Sequence, residues 1–477
     1  MISPLLTDLY QLTMAYGYWK LGMHEREAVF HQIFRKQPFG GNYVIHCGLD
    51  SVIDFLENWH FADTDLQYLA TLRAPNGEPL FTLEFLDYLS TLRFTCDIDA
   101  IPEGTLVFPH EPLLRVKGPL LQGQLLESTL LNIINFQTLI ATKSARICQA
   151  AAGDPVLEFG MRRAQGPDGA LSASRAAYIG GCTATSNVLA GKRYGIPVSG
   201  THAHSWVTAF PDEISAFEAY SFVMPHNCTL LVDTFDTVQG VKHAIDAGKK
   251  FKDKNALRAI RLDSGDLAEL SIIARKLLDE AGFIDTKIIA SNSLDEYVIT
   301  ELKQKGAKIS VWGVGTSLVT AYDHPALDGV YKLSAIKDDH GNWQYKLKLS
   351  EQAIKVSNPG IHQVRRFFDG DNMRMDIVYD TETGISAHPE CASLQSPHAA
   401  MPLPTFTHST DLLQPVFRNG KLVHAREPID TSRERAHSQV TAFLMQQRDA
   451  PYSVGLEKNL HQTKQSLITT VTRKTHV

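Results

Sequence analysis

Short apolar runs alternate with helix-length amphipathic stretches through the middle of the chain. The short apolar runs include residues 229–234, 259–263 and 308–314. Helices are predicted over residues 238–248 and 267–281. Buried strands that alternate with helices form βαβ units, whose strands lie parallel in one sheet. The pattern therefore predicts an α/β fold for this part of the chain.

The segments that flank this alternation have other patterns. The N-terminal part has a helix start with Thr7 or Asp8 as its N-cap, alternating runs broken by Pro and Gly, and then a long helical stretch, which together are typical of an α+β layer. The alternation stops after Leu333, and the final part is rich in Pro, His and Ser. We predict an N-terminal α+β domain at residues 1–150, an α/β barrel domain at 151–380, and a C-terminal extension at 381–477 that packs on the N-terminal domain or on the barrel.

Residues capable of chemistry follow each predicted strand of the middle segment. The successive strand ends carry Phe159, His204, Asp233, Asp263, Asn292 and Gly313. A barrel brings all the carboxyl ends of its strands to one rim, whereas an open doubly wound sheet uses only the ends beside one crevice. Because residues capable of chemistry follow so many strands, the pattern favours an irregular α/β barrel. The alternative interpretation is that these residues belong to ordinary βα turns. Between the first two ends, a small-residue helix is predicted over residues 172–194.

Composition and charge narrow the classes of function. The 477 residues are 44% hydrophobic and 21% charged, as in ordinary globular proteins, and the net charge of -6 argues against nucleic acid or anionic membrane as a partner. The six cysteines are widely spaced without a CxxC pair, which predicts reduced thiols and no His/Cys metal site. With no recognisable signal peptide or transmembrane run, we expect a cytoplasmic protein.

Two motifs have side chains suited to an anionic, ring-containing ligand. The guanidinium of Arg261 suits a carboxylate or phosphate, and Asp263 suits ribose hydroxyls, while Asp266 has the simpler interpretation of a helix cap. Phe159 with Arg162 could stack on and clamp a flat acidic ring, although a core Phe beside a surface Arg is the alternative.

Histidines and glycines at two other strand ends leave alternatives open. His204 lies in a loop where a catalytic role competes with that of an ordinary loop histidine, and His202 could be a surface histidine. The run Gly313 to Thr316 could present backbone N–H groups and a hydroxyl to a phosphate, or could form only a tight turn.

Taken together, these residues resemble the nicotinate phosphoribosyltransferase family. The matching segments occur in order along nearly the whole chain: TDLYQ (7–11), EFGMRRAQ (158–165), GTHAHS (200–205), RLDSGD (261–266), SNSLD (291–295), GVGT (313–316), KVSNPGIHQVR (355–365) and PVFRNGK (415–421). The resemblance implies a type II phosphoribosyltransferase that joins nicotinate to 5-phosphoribosyl 1-pyrophosphate, giving nicotinate mononucleotide and pyrophosphate in NAD biosynthesis. It also implies coupled ATP hydrolysis, Mg²⁺ bound with pyrophosphate or ATP, and a homodimer with shared active sites.

The resemblance assigns roles to individual residues. His204 would be phosphorylated by ATP and would form the catalytic set with Asp263 and Arg261. Phe159 would stack on the pyridine ring, and Tyr10 of the partner subunit would cover the other face. The full set of implied substrate contacts is Tyr10, Phe159, Arg162, Thr201, Asn292, Gly313, Gly315 and Thr316.

Substrate choice and rival functions rest on smaller signals. An acidic residue is expected in the nicotinamide enzymes within the loop that here reads GGCT, so Cys182 favours an acid substrate. Quinolinate, with its second carboxylate, would call for a denser cluster of basic residues.

Two rival functions are also considered. One is a metabolite-sensing barrel without turnover. The other is a barrel enzyme of sugar phosphates, for which Lys332 is the lysine to check as a Schiff-base former.

Overall fold

The structure is a computed structural model of the chain, and it describes residues 2–250, 257–352, 355–394, 400–446 and 452–475. The chain forms two compact units. The first unit comprises Met1–Thr138 and Ala326–Val477, and the second unit comprises Leu139–Pro325. The domain boundaries that the sequence suggested near residues 150 and 380 stay predictions.

Helices occur in both units. In chain order the α-helices are α1 (Leu9–Lys20), α2 (Leu49–Glu57), α3 (Asp63–Leu69), α4 (Leu83–Thr91), α5 (Leu120–Leu125), α6 (Glu127–Ala151), α7 (Gly166–Ile179), α8 (Val188–Tyr194), α9 (His204–Thr208), α10 (Glu213–Val223), α11 (Thr237–Lys250), α12 (Leu267–Glu280), α13 (Glu296–Gln304), α14 (Thr316–Val319), α15 (Ile429–Met445) and α16 (Lys458–Thr475). Short 3-10 turns lie at Pro38–Gly40 and Met161–Arg163. None of the helices in the described residues combines the length and apolarity needed to span a bilayer.

The strands are mostly short. In chain order they are β1 (Glu27–Ile33), β2 (Val44–Ile45), β3 (Asp97–Ala100), β4 (Leu106–Val107), β5 (Leu114–Pro119), β6 (Val156–Glu158), β7 (Ala184–Thr185), β8 (Thr229–Leu231), β9 (Ala259–Leu262), β10 (Lys287–Ala290), β11 (Val311–Val314), β12 (Val330–Lys337), β13 (Trp343–Tyr345), β14 (His362–Asp369), β15 (Asn372–Asp380), β16 (Cys391–Ser393), β17 (Ala400–Met401), β18 (His408–Asp411), β19 (Gln414–Arg418), β20 (Lys421–Leu422) and β21 (Ser453–Glu457).

The second unit contains the predicted parallel sheet. Its six strands follow the order β7-β6-β11-β10-β9-β8, and every neighbouring pair is parallel. Helices α11, α12 and α13 lie between successive strands, and Asp266 caps α12 by accepting from the N–H groups of Ala268 and Glu269. The α/β class and the capping interpretation of Asp266 are therefore confirmed.

The segment after α8 lies between the two end strands of this sheet. The N–H of Thr185 in β7 donates to Pro197, and the N–H of Ser199 donates back to Thr185, each at 3.0 Å. Towards β8, the link is a side chain, because the N–H of Leu231 donates to His202 Nε2 at 3.1 Å. Among the described residues the sheet is thus continued past β7 by an irregular segment rather than by a further regular strand.

The single helix predicted over residues 172–194 is wrong. Helix α7 ends at Ile179, strand β7 follows, and α8 begins only at Val188. Gly180 and Gly181 explain the break: Gly181 has φ +125°, a conformation that side-chain-bearing residues rarely adopt. The end of α7 was not predicted because small residues lie on both sides of the two glycines.

The first unit is built mostly on antiparallel strands, with one parallel pair, β15 and β21. One sheet has the order β13-β12-β1-β5-β3-β19-β20, so strands from the beginning and the end of the chain share it. A second sheet, β17-β16-β21-β15-β14-β18, buries Phe367, Met375, Ile377 and Cys391 on one side. The end of the chain therefore contributes to the same unit as its beginning.

A buried ion pair lies at the centre of the second sheet of this unit. Arg366 and Asp376 face each other across β14 and β15, are at most 1% exposed, and are joined by a 2.6 Å contact. Tyr452 donates to the same carboxylate, and Arg366 also donates to the carbonyl of Leu106. Burial, and then the charge of Asp376, raise the pKa of the neighbouring carboxyl of Glu111. The guanidinium of Arg366 is thus connected, directly or through Asp376, to three separate parts of the chain: β15, Leu106 and Tyr452.

We expect Asp376→Asn to destabilise the first unit strongly. Removing the carboxylate leaves the charge of Arg366 buried without its partner, which costs about 3–5 kcal/mol of unfolding free energy. The matched control is Asp411→Asn, because Arg365–Asp411 is the adjacent pair on β14 but its side chains are 27% and 32% exposed. That change should cost about 1 kcal/mol or less. Calorimetric melting of both variants checks the difference, and equal losses would contradict it.

Candidate active site

The site on the second unit is organised around the guanidinium of Arg261 on β9. Its Nε donates to Ser291 Oγ at 2.7 Å, one terminal nitrogen donates to Thr201 Oγ1 at 2.9 Å, and the other donates to Asp263 Oδ1 at 2.9 Å. The described residues thus take three of its five N–H donors. The guanidinium carbon lies 5.7 Å from the ring centre of Phe159. Arg261 therefore brings four residues together at the carboxyl ends of neighbouring strands: Thr201, Asp263, Ser291 and Phe159.

The position of the Phe159 ring depends on a glycine. The N–H of Phe159 donates to the carbonyl of Val314 at 2.7 Å, which fixes the backbone after β6. A Cβ atom added to Gly313 would lie only 2.7 Å from a ring carbon of Phe159, so the ring occupies space that a side chain would take. Gly313 was predicted to bind phosphate; its observed structural role is to make room for the ring.

The carboxylate of Asp263 is held in its charged form. Burial by itself would raise its pKa, but the hydrogen bond from Ser291 and the positive charge of Arg261 outweigh burial, and the pKa lies below its ordinary value. Asp263 is therefore ionised at neutral pH. Its other oxygen, Oδ2, lies 3.7 Å from His204 Nε2.

His204 begins helix α9 and its side chain is 44% exposed. Its Nδ1 forms a hydrogen bond with Thr234 Oγ1 at 3.1 Å, while Nε2 faces two carboxylates, Asp263 at 3.7 Å and Asp233 at 4.0 Å. A proton on Nε2 is favoured by those carboxylates, which leaves the lone pair on Nδ1. The imidazole is thus accessible and oriented, as a nucleophilic histidine must be.

Asp233 is a site residue that the sequence-based list omitted. Its side chain is only 1% exposed, and Oδ2 accepts from Ser264 Oγ at 2.6 Å and from the N–H of Asp263 at 2.9 Å. Its Oδ1 has no hydrogen-bond donor among the described residues and faces His204. A buried oxygen without a donor is costly, so Oδ1 has unused capacity to accept a hydrogen bond. Its position at a strand end was the signal available in the sequence.

A second omitted carboxylate holds the loop that carries Phe159. Glu158 is fully buried at the end of β6 and accepts from Thr185 Oγ1 at 2.6 Å, from Ser174 Oγ at 2.9 Å and from the N–H of Gly160. These donors come from β7, α7 and the loop itself. Glu158 is therefore a structural anchor for the stacking residue.

Two further predicted residues lie at neighbouring strand ends. Asn292 follows β10 with φ +90°, an unusual backbone conformation for a residue with a side chain, and its side chain is exposed. Such strained residues cluster at functional sites. Gly315 and Thr316 follow β11, where Thr316 is exposed at the start of the four-residue helix α14. Their roles in ligand binding stay predictions.

Three predicted residues are not part of this cluster. Arg162 is exposed in the 3-10 turn after Phe159. Tyr10 lies on α1 of the first unit and is 49% exposed. Cys182 precedes β7, at the end of the sheet opposite to the Arg261 cluster, and its thiol packs against Ser144 Oγ of α6 at 3.3 Å. In this segment the residue that follows β7 at the carboxyl end is Ser186.

Several other basic residues of the chain have structural partners. Lys143, 1% exposed, contacts Glu296 and Asp323 at 2.7 Å each, and Arg146 donates to Glu296 at 2.8 Å. Lys332 lies on β12 in the antiparallel sheet of the first unit. A Schiff-base lysine on a barrel strand, as the sugar-phosphate hypothesis requires, is therefore not provided by Lys332.

His202 is buried rather than on the surface, so the surface interpretation is wrong. It is 8% exposed, and burial lowers the pKa of its imidazole. Its Nε2 accepts the N–H of Leu231. The sequence contained no signal that separated this histidine from its exposed neighbour His204.

Comparison with known proteins identifies the relatives of this chain. Three family models match it: the nicotinate phosphoribosyltransferase N-terminal domain over residues 5–135, the nicotinate phosphoribosyltransferase family over 155–344, and the nicotinate phosphoribosyltransferase C-terminal domain over 361–464. The chain is 50% identical to nicotinate phosphoribosyltransferase of Bacillus subtilis (strain 168) over 374 residues, which are 78% of this chain and 75% of that protein. It is 34% identical to the Homo sapiens protein of the same name, covering 97% of this chain and 96% of the relative.

Solved structures give the same relationship. The crystal structure of human nicotinic acid phosphoribosyltransferase matches with a TM-score of 0.83 and 30% identity, over 97% of this chain and 99% of that one. The structure of nicotinate-nucleotide pyrophosphorylase from Pyrococcus furiosus matches with a TM-score of 0.69 and 23% identity, over 92% of this chain and 95% of that one. The second match shows a shared fold.

We expect Gly313→Ala to weaken binding of flat aromatic acids such as nicotinate. The new methyl group forces the Phe159 ring to move, and an overpacking cost of about 1–3 kcal/mol carried into ligand binding corresponds to a loss of affinity of roughly fivefold to a hundredfold. The control is Gly169→Ala, because Gly169 lies in α7 with nothing within 4 Å of an added Cβ. Titration calorimetry checks both variants. Unchanged affinity in Gly313→Ala would show that the ring position does not matter.

Proposed function

The chain belongs to the nicotinate phosphoribosyltransferase family, and we propose that it joins nicotinate to 5-phosphoribosyl 1-pyrophosphate. The observation that carries this proposal is the cluster of Arg261, Phe159 and Asp263. It combines a cation, an aromatic ring and an ionised carboxylate within one group of strand ends. A flat anionic ring beside a ribose is a ligand that these three groups suit.

The transfer needs few reacting groups from the protein. The ring nitrogen of nicotinate forms a bond to ribose C1 while the bond from C1 to the pyrophosphate oxygen breaks, and pyrophosphate leaves with the bonding electrons. Positive charge develops on the ribose and negative charge on the leaving group, so fixed charges stabilise the transition state. Asp263 would face the ribose, and the two N–H donors of Arg261 that remain would bind the carboxylate of nicotinate or the ribose phosphate.

We further propose that ATP phosphorylates His204. Nδ1 would attack the γ-phosphorus of ATP, ADP would leave, and water would later cleave the phosphohistidine to phosphate. The support is geometric: Nε2 faces the carboxylates of Asp233 and Asp263, so they would stabilise the positive charge that the imidazole gains when Nδ1 reacts. The free Oδ1 of Asp233 would then gain the N–H partner that it lacks.

Mg²⁺ would enter with the polyphosphate substrates. The carboxylates of Asp233 and Asp263 are hard oxygen ligands of the kind that Mg²⁺ accepts, so the residues present fit this ion. When bound, the ion would neutralise charge on the leaving pyrophosphate. We assign no dedicated protein site to it.

We propose a homodimer with shared sites. Helix α1 and the residues before it expose an apolar stripe of Leu6, Leu9, Tyr10 and Met14, which are 51%, 54%, 49% and 37% exposed. Contiguous exposed apolar side chains mark interaction surfaces. Tyr10 of the partner subunit would cover the face of the pyridine ring opposite to Phe159.

Pyrophosphate release tests the proposed reaction. Nicotinate, nicotinamide and quinolinate are compared in parallel, each with and without ATP. Release with nicotinate alone, increased by ATP, is the expected result. Release with another base would overturn the substrate assignment, and ligand binding without any release would indicate a metabolite-sensing protein.

We expect His204→Ala to abolish the stimulation by ATP while some basal transfer remains, because the phosphoryl acceptor is lost but Arg261, Phe159 and Asp263 are kept. Initial rates with and without ATP measure the effect. The control is His226→Ala, whose side chain is exposed in the same unit. Unchanged ATP stimulation in His204→Ala would remove the role assigned to this residue.

We expect Ser186→Asp, but not Cys182→Ser, to disfavour nicotinate. Ser186 follows β7 at the carboxyl end of the sheet, where a new carboxylate would repel an acidic substrate. At about 4 Å such repulsion is worth between about 1 and 4 kcal/mol, which predicts a rise in KM of roughly tenfold or more. Cys182 packs against α6, so its replacement should leave KM for nicotinate nearly unchanged. The opposite ranking would restore the original assignment of Cys182.

A further inference from the structure

His202 connects the active-site loop to the parallel sheet through its side chain. Its Nε2 accepts the N–H of Leu231 in β8 at 3.1 Å, and its Nδ1 is 3.2 Å from the carbonyl of Ala203. Because a carbonyl only accepts, Nδ1 carries the proton and Nε2 is the free acceptor. The imidazole is therefore neutral, in one tautomer that both contacts require.

Packing holds this ring in place. The ring lies edge-on to Tyr220 of α10, with ring centres 4.7 Å apart, and at a greater distance from Phe217, with ring centres 6.3 Å apart. Only 8% of His202 is exposed. A buried, packed and fully hydrogen-bonded imidazole is a rigid connection between its backbone and β8.

The connection continues to the catalytic groups. Thr201 Oγ1 donates to the carbonyl of His202 at 3.0 Å and accepts from Arg261 at 2.9 Å. His204 begins α9 two residues later and, through its side chain, is hydrogen-bonded to Thr234. The loop that carries both Thr201 and His204 is therefore anchored to β8 by the imidazole of His202.

We propose that His202 is a positioning residue that holds His204 for phosphoryl transfer, by accepting the backbone N–H of Leu231. This inference rests on the proposed function, since it concerns the phosphorylation of His204. Protonation of His202 would convert Nε2 from an acceptor into a donor and break this anchor. The positioning is accordingly lost in acid as well as by substitution.

The surroundings of His202 favour its neutral form. The charged and titratable groups near the ring are Arg261 on β9, His204 on α9 and Tyr220 on α10. Burial lowers the pKa of His202, the hydrogen bond to the carbonyl of Ala203 opposes burial, and the positive charge of Arg261 acts in the same direction as burial. The anchor is consequently intact at neutral pH and lost only below the ordinary histidine range of about 6.5.

The first test uses two variants and a control. His202→Phe keeps an aromatic ring but has no acceptor, whereas His202→Gln has an amide oxygen that can accept the N–H of Leu231 and does not titrate. His226→Gln changes an exposed histidine of the same unit. The measurements are the rate of His204 labelling by ATP carrying a labelled γ-phosphate, and kcat and KM for nicotinate.

We expect His202→Phe to slow His204 labelling by about tenfold to a hundredfold, because a displacement of about 1 Å suffices for such a loss. KM for nicotinate should change much less, since Arg261 keeps its bonds to Ser291 and Asp263. His202→Gln should restore most of the labelling rate, and His226→Gln should equal the wild type. Normal labelling in His202→Phe, or equal losses in the Phe and Gln variants, would overturn the proposal.

A second measurement needs neither the Phe variant nor catalysis. Amide hydrogen exchange of the Leu231 N–H, followed from about pH 7.5 downward through the acid range in which the protein stays folded, reports on the anchor directly. Protection should fall in acid in the wild type and persist in His202→Gln. The same pH dependence in both proteins would refute the role of His202. Absence of His204 labelling in the wild type would instead count against the proposed ATP coupling, and this exchange experiment would still decide the role of His202.

Discussion

The site depends on one guanidinium that is bonded on three sides and still accessible. Arg261 orders Thr201, Asp263 and Ser291 through hydrogen bonds and lies beside Phe159. Each of these residues belongs to a different strand end or loop, so the cluster exists only if the strands are aligned. The hydrogen bond from Ser291 and the charge of Arg261 together lower the pKa of Asp263.

Two arginines of this protein, Arg366 and Arg261, show how exposure separates structure from function. Arg366 is 1% exposed, and its partner Asp376 is inaccessible to any ligand. Arg261 is 14% exposed, its neighbour His204 is 44% exposed, and Asp233 keeps one oxygen without a donor among the described residues. The first ion pair holds strands together. The second group retains bonding capacity that a substrate could use.

The sequence predicted the elements of the second unit and the positions of its chemistry well. The helices predicted over residues 238–248 and 267–281 are α11 and α12 to within two residues at each end. Phe159 and Asp263 lie close to Arg261, and His204 lies close to Asp263. It failed where small residues hide a boundary, as in the helix predicted over residues 172–194. The specificity role assigned to Cys182 stays a prediction, and the structure adds that its thiol packs against α6.

By itself, the sequence determined the family, the α/β class and the strand ends that carry functional residues, because hydrophobic periodicity and short motifs are local properties. The tertiary structure decided which residues act together. The free oxygen of Asp233, the space that Gly313 leaves for Phe159, and the anchoring of the loop by His202 depend on contacts between residues far apart in the chain. Such contacts follow from strand order and packing, which no local pattern encodes.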